Sequence, residues 1–197
     1  MAHNLQHPTL VFVRGLPGSG KSYFANELQK AINNSLGQDT VVMLDPDATD
    51  YDSKDYVDLV ASLSAKGVDS KFHPYRFLRA RAHGGITSNK VIIWNQPFTN
   101  FDGFNKTVIN LQAYAKEHKI ELPIMVVEVE TDHETAKARV LQRKQAGGHG
   151  PSDNTFERFK DEYASFVEKG FSTITVNGQD DVAKSVALVM EKLQLSP

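Results

Sequence analysis

The sequence predicts an α/β fold: three layers, with a five-stranded parallel sheet covered on both faces by helices. Three observations carry that prediction. Short β-rich runs alternate with helical stretches along the chain, the rhythm of a parallel sheet with crossover helices. The strand runs, "VIIW" and "IMVV" among them, are nearly continuous in apolar residues, as strands buried on both faces are. A glycine-rich turn, "GLPGSGKS", joins the first strand to the first helix. In such a sheet the ligand belongs at the carboxyl ends of the strands.

Taken in order, the strands are expected at Thr9–Arg14, Thr40–Leu44, Lys90–Trp94, Ile124–Glu130 and Ser172–Val176. Helices are expected over 21–34, 54–65, 72–83, 102–118, 133–146, 154–169 and 180–194. Gly170 is the expected stop of the sixth helix. The last helix repeats Val182, Val186, Val189 and Leu193 at helical spacing, one apolar stripe for the sheet.

A chain of 197 residues suits a single domain, 1–197, with a substrate-binding region at about 48–86 and a lid at about 139–159. Its net charge of −2 provides no global positive field for nucleic acid. The absence of cysteine removes disulfides and thiolate chemistry. "MAHNLQHPTL" lacks the basic start and apolar core of a secretory leader, and no apolar run approaches the ~20 residues that cross a bilayer. The expectation is a cytoplasmic enzyme, without a membrane partner. No internal repeat or Pro/Ser-rich linker divides the chain.

Gly15, Gly20, Lys21 and Ser22 match G-x-x-x-x-G-K-[ST], with a strand before and a helix after. Gly15, Gly18 and Gly20 allow the backbone N–H groups to turn inward around phosphate oxygens, and the helix from Lys21 aims its positive end at the same anion. Lys21 is expected on the β/γ-phosphates and the Ser22 hydroxyl on Mg²⁺, with Ser19 and Tyr23 completing the loop's contacts. The cofactors expected are therefore ATP and Mg²⁺.

"VVMLDPDATDYD" puts Asp45 and Asp47 at the ligand-bearing end of the second strand. A carboxylate there can take a proton from a substrate hydroxyl or support the metal; Asp47 is the candidate base, and Asp45 a candidate metal and substrate contact. In "FHPYRFLRARAH", Arg76 and Arg79 share a helix face that could hold an acceptor's phosphate or carboxylate. The third strand ends in "WNQPFTN", so Asn95 stands where an acid often helps organise the metal, and it is a candidate substrate contact.

"TDHETAKARVLQRKQAGGHGPSDNTFERF" reads as helix, glycine hinge and helix, with Arg139 and Arg143 four apart on one face. That is the pattern of a lid that closes over a transferring phosphoryl group and neutralises its oxygens. Arg158, in the restarted helix, is a further candidate for the substrate.

"GLPGSGKS", "LDPDATDY", "FTN" and "ARVLQRKQAGGHGPSDNTFERF" together resemble the zeta-toxin-like P-loop kinases, one group of the small P-loop kinases. The resemblance implies a P-loop NTPase fold with sheet order 2-3-1-4-5 and ATP- and Mg²⁺-dependent transfer to a hydroxyl. It further implies Asp47 as base and Arg139 and Arg143 on the γ-phosphate. The loop after the fifth strand would border the adenine, which places Asn177 and Gly178 among the nucleotide contacts. The chain departs from that group at Asn95, in its shorter "GGHGP" and across 48–86.

The function that follows is a kinase transferring the γ-phosphoryl group to a hydroxyl of a small molecule, a nucleotide-sugar or other anionic metabolite. A polynucleotide 5′-hydroxyl kinase, with residues 72–83 on backbone phosphates, is the alternative acceptor reading; the acidic net charge favours the small molecule. An ATP-binding regulator without transfer is the alternative that Asn95 supports. The sequence names no protein partner.

Overall fold

The computed structural model describes residues 5–195; residues 1–4, part of the stretch read above for a leader, and 196–197 lie outside them. Five strands, β1 (Thr9–Arg14), β2 (Val41–Leu44), β3 (Val91–Asn95), β4 (Ile124–Glu130) and β5 (Ser172–Asn177), form one sheet in the order β2-β3-β1-β4-β5. Every neighbouring pair is parallel. The helices are α1 (Lys21–Leu36), α2 (Lys54–Ala65), α3 (His73–Thr87), α4 (Phe101–Glu117), α5 (His133–Gln145), α6 (Asp153–Glu162) and α7 (Val182–Lys192).

The pleat sends alternate side chains of β1 to opposite faces. Val11 and Val13 pack with Phe24, Leu28 and Ile32 of α1 and with Val186 and Val189 of α7. Leu10 and Phe12 pack with Leu78 of α3 and with Phe104 and Val108 of α4. Phe12 sits in an aromatic group, edge-on to Phe98 and Phe104 at 5.2 and 4.7 Å. Helix α2 has no buried residue and lies outside both cores.

Helix α3 runs on to Thr87 where an end at 83 was expected, and one element differs more. The sixth helix stops at Glu162 instead of continuing to 169, and Gly170 closes only a 3₁₀ turn, Val167–Lys169. The reason is a buried ion pair. Arg14 and Glu128 are register partners on β1 and β4, both fully buried, and Arg14 Nη1 lies 2.6 Å from Glu128 Oε1. Arg14 also donates to the carbonyls of Ala164 and Phe98, while Glu128 accepts from the Phe166 N–H and the Ser165 hydroxyl. The chain after α6 must spend its backbone groups on this pair, so they are not available to a helix.

Candidate active site

The site grows from the carboxyl ends of β1, β2 and β3. The turn from Gly15 to Gly20 leads into α1, whose N-cap, Gly20, offers no side-chain acceptor to the first helical amides. Those amides remain available to an external anion. Gly18 has a φ of +84°, and a Cβ on it would run into the Ala136 carbonyl of α5. A Cβ on Gly178 would likewise strike the Ser19 carbonyl. The loop is thus clasped by α5 on one side and by the β5 turn on the other, with Thr131 Oγ1 donating to the Ser19 carbonyl at 2.9 Å.

At the floor, the Asn95 amide Nδ2 donates to Ser22 Oγ at 3.0 Å and to Asp45 Oδ2 at 2.6 Å. Asn95 is buried, so the amide is a fixed bridge between a hydroxyl and a carboxylate. Two hard oxygen donors held on one amide suit Mg²⁺, which takes few protein ligands and completes its shell with phosphate and water. The other Asp45 oxygen accepts from the Asp47 N–H at 2.9 Å. Asp45 is therefore fully engaged, whereas among the described residues the exposed Asp47 carboxylate holds no hydrogen bond.

Lys21, Ser22, Asp45, Asp47, Asn95 and Arg143 line one cavity of about 570 Å³. Burial pulls the Lys21 ammonium down from 10.5 to about 8, against the opposite pull of Asp47 and Asp45, and Arg143 adds to the fall. Arg139 lies elsewhere on the loop: its Nη1 is 3.3 Å from the Gly18 carbonyl and 3.4 Å from that of Gly178. The two arginines expected together on the γ-phosphate are thus divided, because four residues along α5 advance about 6 Å from the loop's rim toward its mouth.

Tyr23, Gly20, Asn177 and Gly178 meet around a small cleft on the β5 side of the loop. Asn177 itself folds its own turn, donating to Asp180 and accepting from the Gln179 N–H. A further recess of about 710 Å³ behind the loop shares Ser19 and Asn177 but none of the lysine, aspartate or arginine candidates of the main cavity.

The basic residues expected on the acceptor sit away from the cavity that holds Lys21 and Asp47. Arg76 and Arg79 do not line the cavity; Tyr75, on the same helix, does. Arg79 lies instead near His83, one turn along the same helix, with its Nε buried and unpaired. The helix period decides this: a stretch dense in arginine presents only one residue in three or four to the cavity, and here that residue is aromatic. Arg158 faces outward, 3.9 Å from Glu162, while its neighbour Phe159 lines the cavity. Gln96, next to Asn95, lines it too, and Thr131, Tyr75 and Phe159 were missed. Thr131 had a signal, its position just past a strand's carboxyl end.

A family model described as an AAA domain (AAA_33), a P-loop kinase family, matches residues 10–168, and the chain belongs to that family. No curated protein matches. Among solved structures, a gluconokinase from Sinorhizobium meliloti 1021 is similar at 12% identity, with 98% of this chain and 94% of that one covered and a TM-score of 0.54. A sugar kinase from Janibacter sp. HTCC2649 is 14% identical, covering 97% and 96%, with a TM-score of 0.56. Deoxyadenosine kinase from M. mycoides is 19% identical, covering 94% and 98%, at 0.51. At these identities the likeness is one of fold. Among the described residues no helix is long and apolar enough to cross a membrane.

Proposed function

We propose that the protein is an ATP- and Mg²⁺-dependent kinase that transfers the γ-phosphoryl group to a hydroxyl of a small molecule, acting in the cytoplasm where ATP is supplied. The supporting observation is the shared cavity in which Lys21, Arg143 and an unengaged Asp47 surround the Ser22–Asn95–Asp45 bridge. Ser22 and Asp45 would hold Mg²⁺, which supplies charge neutralisation on the β- and γ-oxygens. The loop amides and Lys21 hold the phosphates, Arg143 meets the γ-phosphate, and Arg139, with Tyr23, Asn177 and Gly178, borders the nucleoside end.

In the transfer, the acceptor oxygen attacks the γ-phosphorus as its proton passes to Asp47 Oδ. The bond from that phosphorus to the β,γ-bridging oxygen breaks, and ADP leaves with the bonding pair. The segment 139–159 acts as the lid, Gly147 to Gly150 giving it slack between α5 and α6. The lid pattern, Arg139 and Arg143 four apart and then "GGH" and "ERF", supports placement near the zeta-toxin-like kinases. Asn95 does not argue for a degenerate enzyme, because its amide holds Asp45 beside Ser22.

The test is transfer of label from γ-labelled ATP with Mg²⁺ to a pooled set of metabolites and oligonucleotides. Asp47→Asn is expected to lower transfer by roughly 10²-fold or more while ATP affinity holds within about threefold. Normal turnover by that variant removes Asp47 as base; label released only as free phosphate removes the kinase reading.

A further inference from the structure

Resting on the kinase reading above, we infer that the acceptor is uncharged and carries a flat ring beside the hydroxyl it presents, as a nucleoside or an aryl glycoside does. The charge on the cavity wall is the first reason. Apart from the exposed imidazole of His149, its cationic side chains are Lys21 and Arg143, and a bound triphosphate engages both. What then remains facing the acceptor is the Asp47 carboxylate, which repels a phosphate or carboxylate placed next to it. The arginines that would have matched an anion, Arg76, Arg79 and Arg158, lie off the cavity.

The second reason is what occupies their place. Tyr75 from α3 and Phe159 from α6 both line the cavity, one from the body of the fold and one from the lid. Tyr75 is 49% exposed, an aromatic face kept in water at the cavity wall. Pro46, Pro97 and Pro151 add apolar surface without donors, and Gln96 supplies the polar contact. Its amide lies 3.2 Å from Trp94 Nε1, through Oε1, which leaves the NH₂ end free to donate to a neutral oxygen. Rings on a fixed helix and on a moving one give a planar ligand two faces to meet, and they couple its arrival to lid closure.

The experiment uses the full chain loaded with Mg²⁺ and a non-hydrolysable ATP analogue. Calorimetric titration compares uridine with UMP, adenosine with AMP, and 4-nitrophenyl β-glucoside with its glucuronide. The uncharged member of at least one pair is expected to bind at least tenfold more tightly than its charged partner. Tyr75→Ala and Phe159→Ala should each weaken that binding tenfold or more, and Arg76→Ala less than twofold. Tighter binding of the charged members, loss of binding in Arg76→Ala, or no binding by any of the ring compounds overturns the inference. The same panel with γ-labelled ATP separates the two claims. Transfer to a charged member keeps the kinase and overturns the neutral acceptor; tight binding of a neutral member without transfer supports the ring site and overturns the kinase.

Discussion

Replacing Glu128 by leucine should strip the fold of a large share of its stability, and the structure sets the size. Glu128 accepts from the Arg14 guanidinium, the Phe166 N–H and the Ser165 hydroxyl, all at 2.6 Å. The guanidinium itself lies 4.1 Å from the Tyr163 ring centre and 3.6 Å from that of Phe166, cut off from solvent. Removing one member of such a pair leaves a charge buried and uncompensated, at a cost of about 3–5 kcal/mol. For a chain of this size each kcal/mol lowers the melting point by roughly 2–4 °C, so the drop should fall between roughly 6 and 20 °C. Arg14→Met combined with Glu128→Leu removes both charges and should recover at least half of the loss, since a matched apolar pair is often neutral. Urea unfolding followed by circular dichroism measures Glu128→Leu, Arg14→Met and the double variant. A Glu128→Leu loss below about 1 kcal/mol, or a double variant as unstable as the sum of the singles, refutes the claim that an uncompensated charge is what destabilises.

Four further outcomes follow from the site. Because Lys21 titrates near 8 when free and ATP's phosphates favour its charged form, ATP binding at pH 8.5 should take up a fraction of a proton. Calorimetry in buffers of different ionisation enthalpy reads that uptake, and Lys21→Met should abolish it. The same shift has a stability sign: between pH of about 8 and 10.5 the unfolded chain holds the proton that folded Lys21 has lost, so this group's contribution to stability rises with pH across that window and is flat below it. Gly18→Ala should lose ATP binding by at least tenfold in a filter assay, since the new methyl meets the Ala136 carbonyl and φ is +84°; an unchanged affinity contradicts the clasped loop. Asn95→Leu should raise the Mg²⁺ concentration needed for half-maximal activity by about 10- to 100-fold, as Asp45 and Ser22 lose their shared donor.

Much of the fold was legible because its signals are local. Apolar runs with no polar face announce buried parallel strands, and the Gly15–Ser22 stretch requires a strand before it and a helix after it. Asp45 and Asp47 were visible for the same reason, as acids at a strand's carboxyl end. The cavity wall was less legible. The sequence showed a crowd of arginines in α3, but their rotation about the helix axis comes from packing of Leu78, Ala82 and Ile86 on the sheet, and that turned Tyr75 to the cavity and left Arg76 and Arg79 off it.

By itself, then, the sequence determined the α/β class, the strand and helix succession and the phosphate-binding turn, since each depends on residues near one another in the chain. Tertiary structure alone decided which aspartate is engaged, the split between Arg139 and Arg143, and where α6 ends. Each of these depends on a partner far along the chain: Asn95 for Asp45, Gly178 for Arg139, and the Arg14–Glu128 pair for the backbone after Glu162. Charges in runs of buried strand residues were the clue available, because a charge there must find its opposite. Which opposite it finds is fixed only when β1 and β4 lie in register.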